Sequence, residues 1–248
     1  MTAFGRRWAP RLLAPLLSLS LIGSIAPAAM AAPMPAIAPP VGGAASGVAT
    51  AVTTSAIEPG SVNRTSLKLS ATYSVSASLA VDTGVLRVST TIIARNDSGA
   101  GIDRVELNTV ATRLGAISIT SAAVDGHATS VTVSDQTLLV PLGGVLPAGA
   151  TVRVHVAYRA TLRNSLTGSN WLFTRYGGTI SMYRWIPWVS AARPFDRPNH
   201  GDPFVTPSSP QVDVTLTLDK ARILAAPIAK LSKTASKSWA FSVQNVRD

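Results

Sequence analysis

From Leu67 to Val81 apolar and polar residues alternate almost without exception. Leu67, Leu69, Ala71, Tyr73, Val75, Ala77, Leu79 and Val81 share one side; Lys68, Ser70, Thr72, Ser74, Ser76 and Ser78 share the other. A period of two over that length allows one conformation, an extended strand with one buried and one wet face. Asp82-Thr83-Gly84 turns the chain into a second such run, with Leu86, Val88, Thr90, Ile92 and Ala94 on its inner face, and Asn96-Asp97-Ser98-Gly99 ends it. Shorter strands follow over Val105–Val110, Ala116–Val124, Thr129–Val133 and Gln136–Leu142, punctuated by Asp125-Gly126 and Gly143-Gly144. In the next run Val152, Val154, Val156, Tyr158, Ala160 and Leu162 face in, whereas Arg153, His155 and Arg159 face out. Val212–Leu218 and Trp239–Val243 complete the set, and a helical period is confined to the leader and Ala221–Leu231. Around ten strands with regular turn signals predict an all-β fold, an antiparallel two-sheet β-sandwich over residues 63–248.

The first 62 residues do not share this pattern. Arg6, Arg7 and Arg11 form a basic start, Leu12–Ile25 an apolar stretch, and Ala29-Met30-Ala31 a small-x-small cleavage site. Residues 1–31 therefore read as a signal peptide for secretion, too short in its apolar part for the ~20 residues of a spanning helix. No stable membrane span is expected after cleavage, and the mature chain is placed outside the cytoplasm. Residues 32–62 are dominated by Ala, Pro, Gly, Ser and Thr, with Glu58 the only charge. Such a segment has little to bury against its ordering entropy and reads as a flexible linker.

Chemistry is scarce. With no cysteine, thiol catalysis and cysteine-ligated metal sites are excluded. The three histidines, His127, His155 and His200, form no His-Glu-x-x-His helix, and a Gly-x-Ser-x-Gly elbow is missing. Asp196, Asn199 and Asp202 lie near His200 but match no known calcium loop. Losing a leader with three arginines lowers the formal charge from +10 to +7, and no block of five or six like charges occurs. Nucleic acid is therefore not an expected partner.

One segment stands apart. Between Trp171 and Phe204 lie more than half of the chain's aromatics, interleaved with Pro187, Pro194, Pro198 and Pro203. These rings either plug one end of the sandwich and pack against a neighbouring domain, or present a platform for a glycan or peptide. The candidate surface is Trp171, Tyr183, Trp185, Trp188, Phe195, His200 and Asp202.

Tyr183-Arg184-Trp185-Ile186-Pro187-Trp188, then Gly201-Asp202-Pro203-Phe204, then Val212-Asp213-Val214-Thr215-Leu216-Thr217-Leu218 resemble, in that order, the N-terminal β-domain of secreted bacterial zinc metallopeptidases of the aminopeptidase N family. Trp239–Asp248 is similar to the last strand of that domain. The resemblance implies that zinc ligands, general base and substrate-amine motif belong to a following catalytic domain. It thus implies a chain with no cofactor or catalytic residue of its own, a truncated product or stand-alone relative whose partner is a peptidase domain. The alternative is a secreted carbohydrate-binding or adhesive sandwich using Trp171, Trp185 and Trp188.

Overall fold

A strand whose faces differ so sharply has to cover its apolar face, and here two sheets cover each other. The computed structural model describes residues 55–65, 68–190, 209–221 and 232–246. The chain divides into Met1–Ala51 and Val52–Asp248, and every described residue belongs to the second unit. The leader 1–31, the linker as far as residue 54 and nearly all of Ala221–Leu231 lie outside the described residues.

Strands β1 (Leu69–Ala80) and β2 (Val85–Asn96) are followed by β3 (Ile102–Asn108) and a short helix α1 (Val110–Leu114). Next come β4 (Ser118–Val124), β5 (His127–Ala128), β6 (Thr132–Ser134), β7 (Thr137–Leu146) and β8 (Thr151–Thr161). The hairpin β9 (Phe173–Tyr176) and β10 (Thr179–Met182) precedes β11 (Trp188–Val189), β12 (Ser209–Leu218), β13 (Ser232–Ala235) and β14 (Ser238–Val246). A large sheet has the order β13-β14-β12-β1-β2-β8-β4-β5, and a small one the order β11-β3-β7-β6. The fold is an all-β sandwich, as the alternation requires.

The inward residues read from the sequence form the core. Leu86, Ile92 and Ala94 of β2 and Val154 and Val156 of β8 are fully buried, facing Val105, Leu107, Leu138 and Val140 of the small sheet. Fully burying one such aliphatic side chain contributes roughly 1.5–3 kcal/mol.

Four details depart from the sequence reading. The sheets are not wholly antiparallel, since β1 pairs with β12 in parallel, Tyr73 opposite Val212 and Leu79 opposite Leu218. Val110 opens a helix instead of ending a strand, because the Thr109 hydroxyl accepts from the Ala111 amide at 3.2 Å and caps the turn. Gly143-Gly144 is not a strand break but a bulge inside β7: Ile102 lies opposite Leu146 while Arg104 lies opposite Pro141, with Gly143 at φ +79. Finally, the sandwich begins earlier than residue 63. Glu58 and Val145 exchange two backbone hydrogen bonds of 2.8 Å, and Gly144 lets Glu58 approach because a Cβ there would meet its carbonyl oxygen at 2.4 Å. Residues 55–62 are therefore a strap on the small sheet.

The strap is closed by one carboxylate. Asp103 accepts from the Ser61 hydroxyl and from the amides of Val62, Asn63 and Arg64 at 2.6 to 3.0 Å, with Asn63 turned to φ +46 to aim them. Burial alone would raise the Asp103 pKa, but these donors outweigh it and lower it from 3.8 to about 2. A depressed folded-state value means stabilisation that is complete above the unfolded value and disappears as pH falls through about 2. Asp103→Asn is expected to cost about 2 kcal/mol at pH 7 in urea unfolding, since it trades charge-assisted bonds for facing donors. The difference from wild type should shrink toward pH 2, and a constant difference from pH 7 to pH 2 would contradict this account.

Candidate functional site

The aromatic segment is fixed to the sandwich by its backbone. Arg184, at φ +41, has its carbonyl oxygen bonded by the Val110 amide at 3.0 Å. The Thr109 hydroxyl, at 3.1 and 3.0 Å, is shared between the carbonyls of Arg184 and Trp185. From the opposite sheet the Tyr158 hydroxyl also donates to the Trp185 carbonyl. Burial pushes that phenol far above its ordinary pKa, so it stays a neutral donor at any physiological pH.

Beyond this clamp Trp188 enters the core. Its ring stacks on Tyr73 with centroids 4.1 Å apart and planes at 15°, and the Tyr73 hydroxyl accepts from the Val189 amide at 3.0 Å. Trp188 pairs with Asn108 as β11 joins the small sheet. There the Asn108 amide group donates to Ser190 Oγ, and the Thr137 hydroxyl donates to Asn108 Oδ1 at 3.3 Å. Gln136 Oε1, in a side chain that is also buried, has no donor among the described residues.

The candidate residues thus separate. Trp188 is buried, and Trp185 is half-buried against the core. Trp171 and Tyr183 are exposed, at 56% and 37%, with the Arg184 guanidinium 5.3 Å above the Tyr183 ring. Phe195, His200 and Asp202 lie outside the described residues. Two further exposed apolar side chains, Leu166 and Tyr176, belong to the same stretch of chain, which is tied across by the Tyr183 amide donating to the Leu172 carbonyl at 2.8 Å. Sequence reasoning did not single out Thr109, Tyr158, Asn108 and Ser190. The Tyr158 alternation pointed inward, but nothing in it marks a hydroxyl that reaches another loop. Of the three tryptophans a sugar platform would use, only Trp171 is exposed.

Among the described residues no three of His, Cys, Asp or Glu come close enough to hold a metal ion.

No family model matches the chain, and no curated protein does. Solved structures of M1 zinc metallopeptidases are similar to it. One, a mutant from Deinococcus radiodurans bound to a Tyr-Ser-Ala substrate, is 16% identical with a TM-score of 0.47, over 77% of this chain and 41% of that one. A two-domain M1 zinc metallopeptidase mutant bound to L-arginine is 15% identical with a TM-score of 0.45, over 77% and 42%. The chain spans about two fifths of the length of these structures.

Proposed function

We propose that this chain is an exported, non-catalytic β-domain of the kind found N-terminally in aminopeptidase N-like zinc metallopeptidases, and that it packs on or supports a peptidase domain. The observation that carries this reading is the exposure of Leu166, Trp171, Tyr176 and Tyr183 on one stretch of chain whose base is clamped into the core. Apolar side chains held on a rigid base form a surface with little ordering left to pay on association. The resemblance of Tyr183–Trp188 and Val212–Leu218 to that family supplies the partner's class. Zinc and the hydrolytic machinery then belong to the partner.

Trp171→Ser with Tyr183→Ser tests the surface. The wild-type chain should bind a hydrophobic dye and co-elute at micromolar concentration with a separately expressed zinc peptidase domain of that family. The double variant should lose both while melting like wild type, because both rings are exposed. A wild-type chain that binds no dye and does not associate would overturn the proposal. We also expect the chain alone to take up no stoichiometric zinc and to release no aniline from aminoacyl-anilides. One zinc per chain with EDTA-sensitive turnover would contradict that expectation.

A further inference from the structure

The outer face of the large sheet belongs neither to the core nor to the aromatic segment, and its residues fall into rows that cross the strands. One row runs Ser238, Thr217, Ser78, Arg87, Arg159, Ser118 over β14, β12, β1, β2, β8 and β4. The next, two residues along, places Thr215, Ser76 and Ser89 side by side, and the one after it Ser242, Asp213, Ser74 and Thr91. These last two rows line an open trough of about 670 Å³.

Two features give this face a chemistry. Arg87 and Arg159 are directly opposite each other and exposed, and neither guanidinium has an ion pair or hydrogen bond among the described residues. Like charges at directly opposed positions repel, so the pair is relieved by an anion lying between them, and two planar guanidinium forks suit a carboxylate. The rows over β1 and β12 are mostly hydroxyl, Arg153 and His155 stand outward on β8, and Asp213 is the single outward acid on β1, β2, β8 and β12, its carboxylate held by Gln211 Nε2 at 2.7 Å. The hydroxyls, and a carboxylate already held by Gln211, exchange hydrogen bonds with sugar hydroxyls. The outward positions of these four strands include no aromatic ring on which a base would stack. Six strands at about 4.8 Å spacing give a row roughly 24 Å long, room for several linked sugar rings.

We propose that this face binds an acidic polysaccharide of the uronate class, its carboxylate between Arg87 and Arg159 and its ring hydroxyls along the serine and threonine rows. The proposal does not depend on the peptidase reading. Its test is binding of the full chain to polygalacturonate at low salt, beside the fully methyl-esterified polymer, inorganic polyphosphate and single-stranded DNA. Polygalacturonate should bind best, weaken with salt, and lose at least about tenfold on esterification. Arg87→Gln with Arg159→Gln should cost a similar factor with the melting midpoint unchanged or raised, because a repulsive exposed pair has been removed. Ser76→Val with Ser89→Val should weaken polygalacturonate but not polyphosphate. Equal binding of the esterified polymer, indifference to the arginine variant, or tighter binding of polyphosphate or DNA would overturn the proposal. Because the wild-type polymer comparison needs no variant, it decides even if a variant misfolds.

Discussion

Replacing Trp188 with alanine is expected to destabilise the protein by about 3 to 5 kcal/mol, the range for truncating a buried aromatic side chain. The ring is 8% exposed and stacked on Tyr73, so its loss empties space between the two sheets and removes one face of the Tyr73 ring. Tyr73 also holds the Val189 amide through its hydroxyl, so the effect should reach β11 and the clamp at Arg184 and Trp185. For a domain of this size the melting midpoint should fall by roughly 10 °C, and the urea midpoint with it. Trp171→Ala gives the contrast, since its exposed ring should leave the midpoint within about 1 °C. If the two variants melt alike, the assignment of Trp188 to the core is wrong.

The second large effect is expected at Gly144. A methyl group there would lie 2.4 Å from the Glu58 carbonyl oxygen and 2.6 Å from Ile57 Cγ2, and the first of these neighbours is backbone. Gly144→Ala should therefore cost about 1 to 3 kcal/mol and lever the strap from β7. Limited proteolysis should show new cleavage between Ser55 and Arg64. Gly99→Ala is the control, at φ +78 with nothing within 4 Å of the added carbon. It should cost only the conformational strain of about 1 kcal/mol and leave the strap protected. A Gly144→Ala protein with an intact strap and an unchanged midpoint would contradict the close approach.

The faces of β1, β2 and β8 were legible because alternation fixes which side chains share a side, and that logic holds wherever one face is buried. It placed Tyr73, Ile92 and Val154 in the core, where they are found. What it does not encode is pairing. Nothing in Val212–Leu218 says that its neighbour is β1 or that the two run parallel. Gly143-Gly144 was misread because glycine serves both turns and bulges, and the deciding contact, Glu58, lies far away in a stretch whose composition reads as linker. The aromatic segment was legible as an exception, but composition cannot separate a ring that stacks in the core, Trp188, from one at the surface, Trp171. That difference comes from the helix cap Thr109 and from Tyr158 and Tyr73 of other strands reaching in.

The parallel pairing of β1 with β12 also imposes an order on biosynthesis. β1 is among the first segments of the sandwich to leave the ribosome, yet one of its edges stays open until Ser209–Leu218 has been made. The Ser209 hydroxyl then reaches the Ala71 carbonyl, 138 residues earlier in the chain, at 2.8 Å. Until that moment the nascent chain exposes an unpaired strand edge backed by Tyr73, Val75 and Leu79. Such an edge invites pairing with another chain, and so late a closure is intrinsically slow. The serines that alternate along β1 keep the solvent side of this waiting strand polar.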